Sequence, residues 1–255
     1  MIRQYDYKHL AKYYDKIELE DAEADMRNKF VKKVLDRRGA RKVLDITAGT
    51  GSQAVFLARY FDVTANDINK EMLEIARQKA KEQHLRIRFS VGDMRTVKLG
   101  RFDAVISIFN AIGHLSKEGF SEAIRNINAS LEEGGIYIFD IFNAEYMNKN
   151  FKDYLFIDAA GEFEGVKFVR FNKNSYDRKN RIMRIHQRLY LQKPKGSVDV
   201  FRENWDMQIY SLDELKKILQ ENGFVAAEVY GGMDGASFSR GKSNSVVIVA
   251  QKKRP

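Results

Sequence analysis

From residue 43 onward, short apolar runs alternate with stretches in which apolar residues recur every three or four positions, the pattern of a parallel sheet covered by helices. Residues 43–46 predict a first strand and 49–59 a helix. Residues 62–66 predict a second strand, and Met72, Leu73, Ile75, Ala76 and Ala80 give helical spacing to 69–83. A third strand is expected at 87–91 and a buried fourth at 102–109. A helix over 120–131 should stop at Gly134-Gly135, ahead of a fifth strand at 136–141. This order implies right-handed crossovers.

The rhythm then changes. Runs rich in β-formers at 166–171, 182–191 and 198–205 are separated by the turn signals Asn172-Lys173-Asn174 and Pro194-Lys195-Gly196, which predicts an antiparallel flap inserted into the sheet domain. After it, Ser211 and Glu214 stand at capping-box spacing before a helix with Leu215, Ile218 and Leu219 on its apolar face, ended by Asn222-Gly223. Strands at 225–230 and 246–250 have no helix between them and must pair antiparallel. Ahead of the sheet, residues 7–38 read as helical, with Phe30, Val31, Val34 and Leu35 on the face expected to pack over the sheet's edge or mouth.

The chemistry concentrates where the strands end. Val43-Leu44-Asp45-Ile46 runs into Thr47-Ala48-Gly49-Thr50-Gly51, a strand entering a glycine turn, and ligands of open α/β sheets sit at such carboxyl ends. Gly49, Gly51 and Ala54 also satisfy the glycine pattern of a dinucleotide site. Asp45 argues against that reading, because a carboxylate beside the turn repels a pyrophosphate and attracts an ammonium. Asp67 ends the second strand, at the place where an acid meets a ribose hydroxyl pair. Asp93 follows the third, where it can accept from an adenine amino group while Met94 packs on the ring. Three acids after three successive strands form a specific constellation.

The segment 43–144 thereby resembles a class I S-adenosylmethionine-dependent methyltransferase. The resemblance implies S-adenosylmethionine as cofactor and S-adenosylhomocysteine as product. It matches Asp45 to the family's leading acid, Gly49 and Gly51 to its glycine motif, Asp67 to the ribose acid and Asp93 to the adenine acid. Ala48, Ile68, Met94 and Asn110 are expected in the same cofactor site. Gly92-Asp93-Met94-Arg95, Phe109-Asn110-Ala111-Ile112-Gly113-His114-Leu115 and the strand-rich insert are similar to small-molecule N-methyltransferases, including sugar N,N-dimethyltransferases. Tyr13-Tyr14-Asp15 resembles their aromatic-acid lid. His114 is accordingly the candidate to take or relay an amine proton, and Tyr14 to cover the cofactor or touch the acceptor. The segment Asp140-Ile141-Phe142-Asn143-Ala144-Glu145 lacks the tryptophan-rich run associated with the amino-sugar enzymes and the Asn/Asp-Pro-Pro-aromatic signature of many base-amine methylating enzymes.

The expected fold class is therefore α/β: a Rossmann-like, doubly wound, mostly parallel seven-stranded sheet with a reversed C-terminal strand, plus an inserted antiparallel β flap. Its expected parts are a helical lid at 1–38, the cofactor domain at 39–150 and 211–255, and an acceptor-binding flap at 151–210. The expected function is methyl transfer to a small-molecule acceptor, an amine first. An RNA or protein methyltransferase and a non-catalytic relative are the alternatives.

Composition narrows this further. The absence of cysteine removes disulfides, thiolate nucleophiles and cysteine metal sites, and no metal is expected. With no apolar run of membrane-spanning length and no secretory h-region at the start, a cytoplasmic protein without a membrane partner is expected. The net charge of +9 is uneven: residues 43–150 hold 13 basic against 14 acidic residues, and residues 151–210 hold 12 against 8. Such an excess attracts acidic substrates or nucleic acid, although no dense basic block occurs. Nucleic acid is the lesser partner expected beside a small-molecule acceptor, and a dimer is compatible with the pattern.

Overall fold

A computed structural model describes Arg3, residues 11–18 and residues 21–254. Most of the expected lid segment before residue 11 lies outside the described residues. Two helices, α1 (Ala11–Glu18) and α2 (Asp21–Arg37), precede the sheet. The first half of the sheet domain then runs β1 (Lys42–Asp45), α3 (Ser52–Leu57), β2 (Asp62–Asp67), α4 (Lys70–Glu82) and β3 (Ile87–Val91). It continues with β4 (Phe102–Ser107), α5 (Lys117–Ala129), β5 (Leu131–Phe142) and α6 (Ala144–Asn150). Four insert strands follow: β6 (Tyr154–Phe163), β7 (Val166–Asp177), β8 (Ile182–Gln192) and β9 (Val198–Gln208). The chain closes with α7 (Leu212–Glu221), β10 (Phe224–Tyr230) and β11 (Ser245–Lys252).

The seven-stranded sheet has the order β10-β11-β5-β4-β1-β2-β3. β1 pairs parallel with both β2 and β4, whereas β11 runs antiparallel to both β5 and β10. The doubly wound sheet with its reversed C-terminal strand is thus present. Strand order reverses between β1 and β4, and that switch point is where an open α/β sheet leaves a crevice. Each face is sealed by its own apolar layer. Leu44, Val105, Phe120, Ile124, Tyr137 and Phe139 belong to one cluster; Val31, Leu35, Val43, Val63, Leu73 and Val249 belong to the other. The apolar face of α2 joins the second cluster, so this helix lies on a face of the sheet as well as near its mouth.

Several boundaries move, each for a local reason. The helix expected from 49 begins at Ser52, because Gly49 and Gly51 take φ of 53° and 82° and form the turn before it. The fourth strand ends at Ser107, since Phe109 and Asn110 both turn left-handed, at 72° and 57°. Ser116 caps α5, accepting from the Gly119 amide, and moves its start ahead of 120. Gly134-Gly135 does not stop that helix. These glycines lie inside the longer β5, where the β4 register slips.

The insert forms a separate four-stranded antiparallel sheet, β6-β7-β8-β9. Its first strand escapes the sequence pattern because Tyr154–Phe163 is an edge strand bulged between Ile157 and Ala159, which interrupts the alternation. Ser211 and Glu214 form the expected capping box at the start of α7. Among the described residues, no helix is long and apolar enough to cross a membrane.

Candidate active site

A cavity of about 410 Å³ opens at the carboxyl ends of β1, β2, β3 and β4. Eight residues expected in the site line it: Tyr14, Ala48, Gly49, Asp67, Ile68, Asp93, Met94 and His114. Asp45, Gly51 and Asn110 do not line it and lie behind its wall.

Asp67 is held by the loop it faces. Its Oδ2 accepts from the Gly49 amide at 2.8 Å and its Oδ1 from the Asn69 amide at 2.8 Å. The cap of α4 is Asn69, which accepts from Met72, so Asp67 is released from capping and aims at the glycine turn. Burial pushes its carboxyl above the usual carboxylate range, opposed by those amides. Asp93 is different: the Arg95 guanidinium grips it at 2.9 Å and 3.0 Å through Nε and holds its carboxyl below the usual range. Asp93 therefore presents an already paired carboxylate, with Arg95 also on the cavity wall.

Asp45 departs from the expected picture of three acids facing one crevice. The pleat sends its side chain to the same face as Val43, beneath the helical layer, and it is 2% exposed. Burial, with the Asp67 charge adding to it, pushes the Asp45 carboxyl up to about 8, so without a cation nearby it is protonated at neutral pH. Its Oδ2 has no partner. Gly51 packs against α4: a Cβ there would stand 2.7 Å from the Ala76 Cβ. This glycine allows close helix approach and does not touch the cavity.

Two tethers missed by sequence reasoning shape the walls. Asn66, fully buried, donates through Nδ2 to the Ile46 carbonyl at 3.0 Å and the Gly92 carbonyl at 2.9 Å, tying together the ends of the first three strands. Asp140 on β5 accepts from the Phe109 amide at 2.7 Å and the Asn110 amide at 3.3 Å, which secures two left-handed non-glycine residues whose conformation is costly alone. Burial pushes Asp140 up to about 6, with the Arg27 charge pulling the other way. The hint in the sequence was an acid within the otherwise apolar run 136–142.

Arg27, from α2, was also missed. Its guanidinium lies over the Phe109 ring at 4.9 Å, and its side chain is 9% exposed. Nη1 meets Glu23 at 3.2 Å, while Nε and Nη2 are buried without partners, as is Asn110 Oδ1. A charge so poorly paired is costly to bury. An orphaned cation, an orphaned amide oxygen and an orphaned carboxyl oxygen thus lie behind residues that line the cavity.

The helical segment reaches the site through α1. Asp15 accepts from Thr50 Oγ1 at 2.5 Å and pairs with Lys79, which itself donates to the Thr50 carbonyl at 2.9 Å. On its other side Glu18 pairs with Arg170 of β7, which also pairs with Asp158. Tyr14 is thereby placed on the cavity wall. His114 sits in the 3-10 turn Ala111–His114, and burial lowers its imidazole to about 4. A second cavity, of about 820 Å³, shares Arg95, His114 and Leu115 with the first and is closed across by Lys179, Asn180, Ile182 and Gln208 of the insert.

Comparison with known proteins identifies the domain and its relatives. Residues 43–135 match the family described as "Methyltransferase domain". A protein of Geobacillus sp. (strain WCH70), provisionally named a methyltransferase, is 28% identical, covering 96% of this chain and 99% of its own. The dTDP-3-amino-3,6-dideoxy-alpha-D-glucopyranose N,N-dimethyltransferase of Streptomyces fradiae is 24% identical over 79% of this chain and 77% of its own. An S-adenosylmethionine-dependent methyltransferase from Clostridium acetobutylicum shares the fold, with a TM-score of 0.83, 17% identity and coverage of 97% of this chain and 99% of that one. With the methyltransferase domain at 43–135 and this fold around it, the chain is an S-adenosylmethionine-dependent methyltransferase.

Proposed function

We propose that this enzyme methylates the nitrogen of a small-molecule amine. The observation that carries the reading is the placement of His114, neutral at physiological pH, on the wall shared by the two cavities. One cavity has the size and chemistry for the cofactor, and the other is framed by the insert. The Streptomyces fradiae relative, named as an amino-sugar N,N-dimethyltransferase, supports an amine acceptor.

In this reading residues 1–38 form a lid, 39–150 with 211–255 the cofactor domain, and 151–210 the flap that frames the acceptor. Asp67 takes the ribose hydroxyls, with Ile68 beside them, and Asp93 and Met94 take the adenine. Ala48 and Gly49 bring the backbone close to the ligand. Asp45, Asn110 and Arg27 answer the charged amino-acid end, and Gly51 acts by setting the helix behind the turn.

When bound, S-adenosylmethionine supplies an electrophilic methyl group on sulfonium sulfur. The chain's task is alignment and exclusion of water. The same desolvation that keeps His114 neutral disfavours an ammonium, so an amine entering here is held uncharged. The imidazole accepts a hydrogen bond from the amine N–H, leaving the nitrogen lone pair free, and Tyr14 covers the site.

Calorimetric titration with S-adenosylhomocysteine tests the cofactor half: Asp67→Ala should weaken binding about 100-fold, as expected for losing two charge-assisted hydrogen bonds. Equal affinity in the variant would remove Asp67 from the site. For the acceptor half, amines, carboxylic acids and phenols are screened for product release, and turnover only with oxygen acceptors would overturn the amine reading. With the amine found, His114→Gln should lower kcat about 100-fold.

A further inference from the structure

The two faces of the insert sheet are chemically unlike. Alternation along β8 turns Met183, Ile185, Leu189 and Leu191 inward, where all are buried. Leu189 and Leu191 pack with Tyr13 and Ile17 of α1. The opposite face presents Lys167, Phe171 and Lys173 from β7, Arg184, Arg188 and Tyr190 from β8, and Arg202 from β9, with the exposed apolar Leu155, Ile157, Val198 and Val200 on the flanking strands.

Register groups these side chains. Phe171, Arg188 and Arg202 form one cross-strand row, and Val169, Tyr190 and Val200 form the next. Phe171 and Tyr190 meet edge to face, their ring centroids 5.9 Å apart. Tyr190, Lys167, Lys173, Arg184 and Arg202 are exposed, and Phe171 and Arg188 are half-buried. Arg184 has a carboxylate partner, Asp177 at 3.4 Å. Among the described residues no ion pair is formed by Lys167, Lys173, Arg188 or Arg202.

A sheet with four unpaired cations spread around two aromatic rings is a poor solvated surface, because the like charges repel and the rings stay wet. It is suited to a chain that carries repeated negative charges and flat rings together. We propose that this outward face of the insert sheet binds single-stranded nucleic acid, the cations tracking phosphates while Phe171 and Tyr190 receive bases. Aromatic platforms on antiparallel sheets, flanked by cations, recognise unpaired bases in this way. A second copy of the chain is a worse occupant: two-fold pairing about the centre of this face would set Arg188 and Arg202 against their own kind, since the acids on it, Glu162, Asp177 and Asp206, lie toward its ends. Ile182 and Gln208, which line the second cavity, end this same face, and the rows of Arg188 and Tyr190 lie further along the strands; nucleic-acid binding is therefore read without turnover.

Fluorescence anisotropy with a labelled oligouridylate RNA tests it on the full chain. Binding should weaken with salt at a log–log slope of about −3, from roughly 0.7 per phosphate met by four cations. The double reversal R188E/R202E should lower affinity at least about tenfold and flatten that slope. Tyr190→Ala should lower affinity at least about fivefold and leave the slope in place. Both variants should keep wild-type melting temperature and S-adenosylhomocysteine binding, which separates this surface from the cofactor site. Three outcomes overturn the proposal: no binding at low salt, equal affinity for polyphosphate of matched charge, or a dimer in sedimentation that R188E/R202E disperses.

Discussion

The seven-stranded sheet and the insert sheet build functional surface by opposite means. In the first, both faces are sealed and chemistry gathers at the strand ends, where Gly49 and Gly51, and then Phe109 and Asn110, turn left-handed. The groups that matter there are backbone amides and the few carboxylates and carbonyls that tether them, such as Asp67 to Gly49 and Asp140 to Phe109. In the insert one face is buried and the other bare, so its chemistry lies in alternate side chains across the flat of the sheet. Parallel strands all point their carboxyl ends one way and concentrate dipoles and loops there. Antiparallel strands do not, and what they offer is a face.

Substitutions can break this contrast. The largest effect is expected where backbone conformation carries the site. Gly51→Ala adds a Cβ in a left-handed residue, 2.7 Å from the Ala76 Cβ. It should cost about 3 kcal/mol in urea unfolding; a loss below about 1 kcal/mol would show that the turn relaxes freely.

The insert should respond by face. Leu189→Ala empties a fully buried position and is expected to cost about 2.5 kcal/mol. Tyr190→Ala, its neighbour on the bare face, should stay within about 0.5 kcal/mol of wild type. Similar losses at both positions would mean that the outer face is covered.

A further test is a pH slope. The Asp45 carboxyl, raised to about 8 in the folded chain against 3.8 in the unfolded one, binds more protons folded than unfolded between those values. Its contribution therefore falls as pH rises from about 4 to 8. Melting temperature measured across that range without cofactor should decline, and Asp45→Asn should reduce the decline. Product cofactor, whose ammonium favours the ionised carboxyl, should bind more tightly at pH 8 than at pH 6. A pH-independent affinity would place the ammonium away from Asp45.

Legibility followed the range of the interactions. Strand and helix periodicity, the glycine turn and the acids at 67 and 93 were readable because each is a local pattern. The edge strand β6 was not, because its bulge breaks alternation and its residues are mixed in character. Arg27, Asn66 and Asp140 were missed since their meaning comes from partners far along the chain: Arg27 lies over Phe109, and Asp140 holds the same residue's amide.

By itself, then, the sequence determined the order of elements, the reversed final strand and the cluster of chemistry at the strand ends, all of which follow from periodicity and turn-forming residues. Only the tertiary structure decided which of three similar acids meets the ligand cavity directly. Asp45, Asp67 and Asp93 occupy equivalent places in the chain. One is buried and protonated, one is held by backbone amides, and one is gripped by an arginine. Charge state depends on solvent exposure and neighbouring charge, and those exist only once the chain is packed.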